Sequence, residues 1–286
     1  MESLTLKSYA KINLCLYVLK KREDDYHEIF SVMQAIDLYD QLTLHKTPKE
    51  IIIRCDHPDV PKDENNLAYQ AADLLFKERN LKGGVRIDIE KQIPVSAGLG
   101  GGSSNAAFTL KGMNQLFDLK LSNQKLHLIG SRVGSDVPFF LYSGQAIAKG
   151  RGEKIVPIGL YGDYWLVLIC PNLMISTKRA YQNVKIDLTA GKSFINLSCC
   201  DNKDGFFNGL RQFDNDLEKV VTSRYAVISQ IKKTLENSGA IKSSMSGSGP
   251  TVYGLFEKKP QAEEVARKLR GGDWQIFLTR PIAFSS

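Results

Sequence analysis

The run Pro94-Val95-Ser96-Ala97-Gly98-Leu99-Gly100-Gly101-Gly102-Ser103-Ser104-Asn105-Ala106-Ala107 restricts this chain more than any other stretch. It carries four glycines within five residues. It follows a strand-like segment around residues 85–89, and helical spacing begins near Ser103, so the pattern predicts strand, glycine turn, helix. Glycines permit positive φ and let a ligand approach without a Cβ in the way. Successive N–H groups, with the free donors of a helix N-terminus, then suit a phosphate. Ser103 and Ser104 add hydroxyls. No Gly-Lys-Ser/Thr closes the run, which excludes a Walker A loop. The third position after Gly98-x-Gly100 is Ser103 and after Gly100-x-Gly102 is Asn105, which excludes the dinucleotide fingerprint. A serine-capped turn without function is the bland alternative, and the glycine density weighs against it.

Length sets the frame for this loop. The chain has 286 residues, which suggests two domains. Strand-like and helix-like segments mix without strict βαβ repetition, so the fold class expected is α+β. Residues 9–18 alternate: Ala10, Ile12, Leu14, Leu16 and Val18 fall on one face, and Tyr9, Lys11, Asn13, Cys15 and Tyr17 on the other. Residues 51–53, 85–89, 165–170, 251–256 and 274–278 read as further strands. Helical spacing covers 66–79, 103–117, 122–133, 216–236 and 261–269. Residues 187–215 are polar and read as a surface excursion. Glycines cluster at 150–162, which places a boundary there, with domains expected at 1–155 and 156–286.

Several function classes are disfavoured. No stretch reaches the roughly 20 apolar residues of a membrane span. The first residues lack a basic segment followed by an apolar run, so no secretory leader is expected. The five cysteines are Cys15, Cys55, Cys170, Cys199 and Cys200, and none has zinc-ligand spacing, which suits free thiols in the cytoplasm. The formal net charge is +7, but the basic residues are dispersed, and Lys20-Lys21-Arg22 is followed at once by Glu23-Asp24-Asp25. That distribution suits a solvated surface rather than a nucleic-acid footprint.

Three other segments complete a parts list for phosphoryl transfer. Lys11 and Asn13 share a strand face, which could also be merely exposed. Asp136, in Gly134-Ser135-Asp136-Val137-Pro138, follows a helix in an apolar setting and could equally be a turn residue. Ser244-Met245-Ser246-Gly247-Ser248-Gly249-Pro250-Thr251 is a second small-residue loop running into a strand.

In this order, the segments resemble the galactokinase–homoserine kinase–mevalonate kinase–phosphomevalonate kinase (GHMP) superfamily along nearly the whole chain. The motifs that carry the resemblance are Ala10-Lys11-Ile12-Asn13-Leu14, Asp25-Tyr26-His27-Glu28, Asn66-Leu67-Ala68, the Asp136 segment and Asn215-Asp216-Leu217-Glu218. The resemblance implies a ribosomal S5 domain 2-like N-terminal domain and a ferredoxin-like α/β sandwich after it. It implies ATP as phosphoryl donor and a small-molecule acceptor, a cytidine diphosphate-linked methylerythritol phosphorylated on its 2-hydroxyl, in non-mevalonate isoprenoid precursor biosynthesis. Asp136 would be the general base, Lys11 its partner, and Asn13 a substrate ligand near the reacting hydroxyl. Tyr26, His27 and Tyr181 would hold the cytidine end, and Thr177 would also bind substrate. Asn66 and Leu67 would lie near the adenine, and Pro94, Gly98, Leu99, Gly100, Gly101, Gly102, Ser103 and Ser104 would carry the phosphates. Mg²⁺ is expected with ATP. Some relatives add a helix glutamate as metal ligand, but none lies between Asn105 and Asp118, which leaves Ser104. An acceptor of homoserine or mevalonate type is the alternative, and Tyr26-His27 argues against it. A nucleic-acid binder is the alternative from another class, with no membrane partner in either case.

Overall fold

The computed structural model describes residues 2–142, 144–184, 197 and 200–284. Two very long strands organise the first half. β1 (Ser3–Lys21) and β2 (His27–Thr47) form an antiparallel hairpin. The far edge of β2 is shared by two strands, β4 (Gly84–Glu90) opposite residues 41–47 and β5 (Gln145–Gly150) opposite residues 29–34. β3 (Ile51–Cys55) joins β4 in parallel, and β6 (Lys154–Pro157) joins β5. The second half builds a four-stranded antiparallel sheet in the order β10 (Trp274–Thr279), β7 (Trp165–Pro171), β9 (Val252–Phe256), β8 (Lys242–Met245). The α+β class expected from the sequence is the class found.

Three hydrophobic layers hold these sheets. Helices α1 (Leu67–Arg79), α2 (Gly101–Leu116) and α3 (Asn123–Val133) pack against the first sheet through residues such as Ala71, Leu75, Leu110 and Ile129. α6 (Asp216–Arg224), α7 (Ala226–Asn237) and α8 (Lys259–Lys268) cover one face of the second sheet. Ala10, Ile12 and Leu14 of β1 meet Leu166, Leu168 and Leu255 of the second sheet in the layer between the halves. β1 therefore belongs to both halves, and its polar residues sit between two cores. α4 (Thr177–Gln182) and α5 (Lys203–Leu210) are the shorter helices.

The alternation along β1 holds only in part. Its pairing with β2 shifts register between Tyr9 and Ala10 and again between Asn13 and Cys15. At the second shift Leu14 of β1 has no partner on β2, and one extra residue flips the phase of the side chains that follow. Cys15 consequently lies in the same core as Ala10, Ile12 and Leu14, not on the face of Lys11 and Asn13. The face that could have been merely exposed is buried: Lys11 is 3% and Asn13 1% accessible.

Residues 145–157 are a hairpin of the first sheet, with Gly150 and Gly152 at positive φ. Two other expectations change. The helix over 216–236 is broken at Tyr225, whose φ and ψ of −124° and 86° end α6 and begin α7. The described part of 187–215 is not a surface excursion. α5 lies within it, and Phe206 and Phe213 are fully buried. Most of residues 185–199, Cys199 included, lie outside the described residues. Phe206 stacks on Tyr164 with ring centroids 5.1 Å apart. Phe206→Ala is expected to cost about 3–5 kcal/mol, the range for emptying a buried aromatic site, read as a shift in the urea unfolding midpoint.

Candidate active site

The glycine run leaves β4, crosses the middle of β1 at Lys11 and enters α2. Gly98 and Gly100 have φ of +78° and +72°, a conformation that glycine adopts without a Cβ penalty. Space restricts them further. A Cβ on Gly98 would lie 2.3 Å from the Ser246 carbonyl oxygen, and one on Gly100 3.1 Å from the Lys11 side chain. α2 begins at Gly101, two residues earlier than the spacing suggested, because Gly100 takes the cap position. No side chain caps this helix, and its first turn carries no acid. Its first N–H groups are thus open to an anion.

Lys11 is the centre of the site. Its backbone N–H donates to the Leu99 carbonyl at 2.9 Å, which ties β1 to the loop. Its ammonium donates to Asn13 Oδ1 at 2.6 Å and to the Gly98 carbonyl at 3.2 Å, and lies 3.5 Å from Asp136 Oδ2. Three acceptors thus surround a buried cation that has three donors. The Asp136 carboxylate is about one-third exposed and faces the cleft. Asn13 is fixed in turn, since its Nδ2 donates to Ser31 Oγ at 2.7 Å and that hydroxyl donates to the Cys15 carbonyl at 2.6 Å.

The second small-residue loop closes over this centre. Ser246 Oγ donates to the Gly98 carbonyl at 2.9 Å and accepts from Asn13 N–H at 3.3 Å. Thr177 and Ser248 share a hydroxyl–hydroxyl bond of 2.8 Å. The result is a cleft of about 1250 Å³ between the two sheets. At its far end the His27 and Tyr181 rings stack at 5.5 Å, tilted by 26°. The Arg151 guanidinium covers the half-exposed Tyr26 ring at 4.9 Å. Burial, and then the Lys21 charge, pull the His27 pKa below its usual 6.5, so the ring is neutral at pH 7. Burial raises the Tyr181 hydroxyl well above the usual phenol range.

The cleft collects Lys11, Asn13, Tyr26, His27, Gly98, Gly100, Ser103, Asp136, Thr177 and Tyr181. It does not collect the rest. Asn66 caps α1, accepting from Ala68 N–H at 2.8 Å and donating to the Pro61 carbonyl at 2.7 Å. Leu67 packs behind Gly102. Leu99 is 1% accessible in the inter-sheet core. Pro94, and Gly101 and Gly102 in the first turn of α2, are not among the residues that line the cleft. Ser104, expected to hold the metal, is fully buried and hydrogen-bonded to Ser8 Oγ at 2.8 Å. Helical phase explains this correction: with α2 starting at Gly101, Ser103 faces the cleft and Ser104 the sheet.

Ser104 opens onto a network that the sequence did not reveal. Asn105 Nδ2 donates to Ser8 Oγ and to Asp40 Oδ2, both at 2.9 Å. Asp40, fully buried, accepts from the Gln92 and Ile93 N–H groups at 2.8 Å and pairs with Lys91 at 2.8 Å. The Lys91 ammonium sits behind the loop, 3.1 Å from where a Gly101 Cβ would be. Burial lowers the Lys91 pKa, and Asp40 opposes that shift. A lone Asp in mid-strand gives no signal of this role in a sequence.

A glycine phosphate loop with a buried lysine and a cleft aspartate defines a small-molecule kinase site, and the family is shown independently. Residues 66–144 match the GHMP kinases N terminal domain and residues 203–272 the GHMP kinases C terminal domain; the chain belongs to the GHMP kinases and is an ATP-dependent kinase of that family. Among its relatives is the 4-diphosphocytidyl-2-C-methyl-D-erythritol kinase of Acetivibrio thermocellus, 41% identical over 99% of this chain and 100% of that one. The enzyme of the same name from Clostridium botulinum is 42% identical over 96% of this chain and 99% of its own. A crystal structure of 4-(cytidine 5'-diphospho)-2C-methyl-D-erythritol kinase superposes with a TM-score of 0.82 at 28% identity, covering 98% of this chain and 99% of that one. Homoserine kinase from Cytophaga hutchinsonii shares the fold, with a TM-score of 0.79 at 18% identity over 99% of this chain and 96% of that one. Among the described residues no helix is long and apolar enough to cross a membrane.

Asp40→Ala would leave the Lys91 ammonium buried without its counter-ion. The expected loss is about 3–5 kcal/mol, measured by chemical denaturation, against less than about 1 kcal/mol for the exposed pair partner Asp73→Ala.

Proposed function

We propose that this kinase transfers the γ-phosphoryl group of ATP to the 2-hydroxyl of 4-diphosphocytidyl-2-C-methyl-D-erythritol, in non-mevalonate isoprenoid precursor biosynthesis. The observation that carries this reading is the spacing of the cleft: a Lys11–Asp136 pair beside the glycine loop, and a His27–Tyr181–Tyr26 aromatic group at the other end. One acceptor molecule with an alcohol at one end and a nucleobase at the other suits both. The names of the full-length relatives support the same acceptor.

Asp136 takes the hydroxyl proton, and the neighbouring Lys11 ammonium stabilises both the carboxylate and the alkoxide that develops. Asn13 orients the acceptor. The protein does little covalent chemistry, so positioning and charge neutralisation supply most of the acceleration. Neutral His27 can hydrogen-bond a cytosine edge, and Tyr26 and Tyr181 offer faces for stacking. Gly98, Gly100, Ser103 and the open start of α2 suit the ATP phosphates.

Mg²⁺ would arrive on those phosphates. Among the described residues no group of three His, Cys, Asp or Glu side chains is arranged to hold a metal. That fits an ion that keeps most of its waters and takes one or two protein oxygens. The Ser103 hydroxyl, which lines the cleft, is the loop oxygen placed to serve. When bound, the ion neutralises phosphate charge.

The two domains are 1–155 and 156–286 in this reading, with ATP held by the first and the acceptor shared by both.

Coupled ADP release with the cytidyl substrate tests the assignment. Asp136→Asn keeps the shape of the site and removes the base, so kcat is expected to fall about 10²–10⁴-fold with KM for both substrates little changed. Near-full turnover in a natively folded Asp136→Asn protein would remove Asp136 from the mechanism.

A further inference from the structure

Residues 215–218 carry a motif that the catalytic reading leaves unused. Asn215 is 6% accessible, and every polar atom of its side chain is engaged. Its Oδ1 accepts from Leu217 N–H at 3.0 Å and caps α6. Its Nδ2 donates twice into the second small-residue loop, to the Met245 carbonyl at 2.8 Å and the Gly247 carbonyl at 2.7 Å. Glu218 grips the same loop, accepting from Met245 N–H at 2.9 Å. The backbone of this segment is tied to β1, where Leu16 N–H donates to the Asp214 carbonyl at 2.8 Å. The strand that carries Lys11 and the loop that covers it are thus fastened to one helix start.

The direction of these bonds matters. In a trans peptide the C=O and the following N–H point opposite ways. With the Gly247 carbonyl drawn back onto Asn215, the Ser248 N–H is turned toward the cleft, which Gly247 and Ser248 both line. No protein acceptor among the described residues takes that N–H. Gly247 has φ of +59°, and a Cβ there would lie 3.2 Å from Asn13 Oδ1 and 3.5 Å from Lys11 Nζ. Gly247, whose carbonyl begins that peptide, is therefore packed close to Asn13 and the Lys11 ammonium.

We infer that Asn215 is a positioning residue that holds the Gly247–Ser248 peptide so that the Ser248 N–H donates to an oxygen of the transferring phosphoryl group. The inference rests on the phosphoryl-transfer reading of this cleft. A fixed backbone donor aimed at developing negative charge acts without reorganisation in the transition state.

Asn215→Asp separates capping from positioning. Asp caps a helix as well as Asn does, but it loses both donors and sets a carboxylate against two carbonyls. The expected result is a fall in kcat of about a hundredfold, with KM for ATP changed by less than about threefold. Asn202→Asp is the control, since Asn202 caps α5 through Gly205 N–H and its Nδ2 donates only to the exposed Asp201 carboxylate, neither residue lining the cleft, and it is expected to leave kcat unchanged. The second measurement uses ¹⁵N-labelled wild type, so folding of the variant does not matter. The Ser248 amide resonance is expected to move downfield when the β,γ-imido analogue of ATP is added with Mg²⁺. An Asn215→Asp enzyme with kcat within about threefold of wild type, or a Ser248 amide unmoved by the saturating analogue, overturns the inference. Wild type that releases no ADP with the cytidyl substrate would instead sink the function proposed for the cleft.

Discussion

Everything in this site depends on one buried ammonium. Lys11 cannot be left unpaired at 3% accessibility, because a buried charge without partners costs several kcal/mol. Its three acceptors come from a strand side chain, a loop carbonyl and a carboxylate after α3. Satisfying the lysine therefore assembles the site: it fixes where the glycine loop crosses β1, and it holds Asp136 at the cleft. The contacts that satisfy the buried charge are the same ones that the proposed phosphoryl transfer uses, in a setting where water does not screen them strongly.

Two polar networks support this centre from opposite sides. Below the glycine loop, Asp40 gathers Lys91, Asn105 and two backbone N–H groups. Beyond the second loop, Asn215 and Glu218 gather the carbonyls and N–H of residues 245–247. Both loops are glycine-rich, so neither would hold one conformation through its own side chains. Each is instead held by carboxylates and amides from regular elements, the arrangement that keeps a reacting geometry tight.

The cleft was legible in the sequence where its residues stand in short local patterns. The glycine loop, Lys11, Asn13 and Asp136 all stand in short patterns, and the structure brings them into one cleft. Roles that depend on register or on distant contact were not legible. The shift at Leu14 that puts Cys15 among the apolar residues follows from pairing with β2, which no local pattern announces. Ser103 and Ser104 look equivalent in a sequence, and one residue of helical phase decides which faces the ligand. Asp40 lies 51 residues from Lys91, its ion-pair partner, and appears in the sequence as a lone acid within a strand. Asn66 was legible as a motif but serves as a helix cap. Phe206 was hidden by the polar composition of its neighbours.

The account holds that this cleft reads both ends of one acceptor, an alcohol beside Asp136 and a cytidine beside His27 and Tyr181. The most direct test is the rate of ADP release with 4-diphosphocytidyl-2-C-methyl-D-erythritol, homoserine and mevalonate compared side by side. The account predicts turnover with the cytidyl acceptor, and kcat/KM for the other two lower by at least about 10⁴-fold, since they leave the aromatic end of the site empty. Turnover of homoserine or mevalonate with none of the cytidyl acceptor would contradict it.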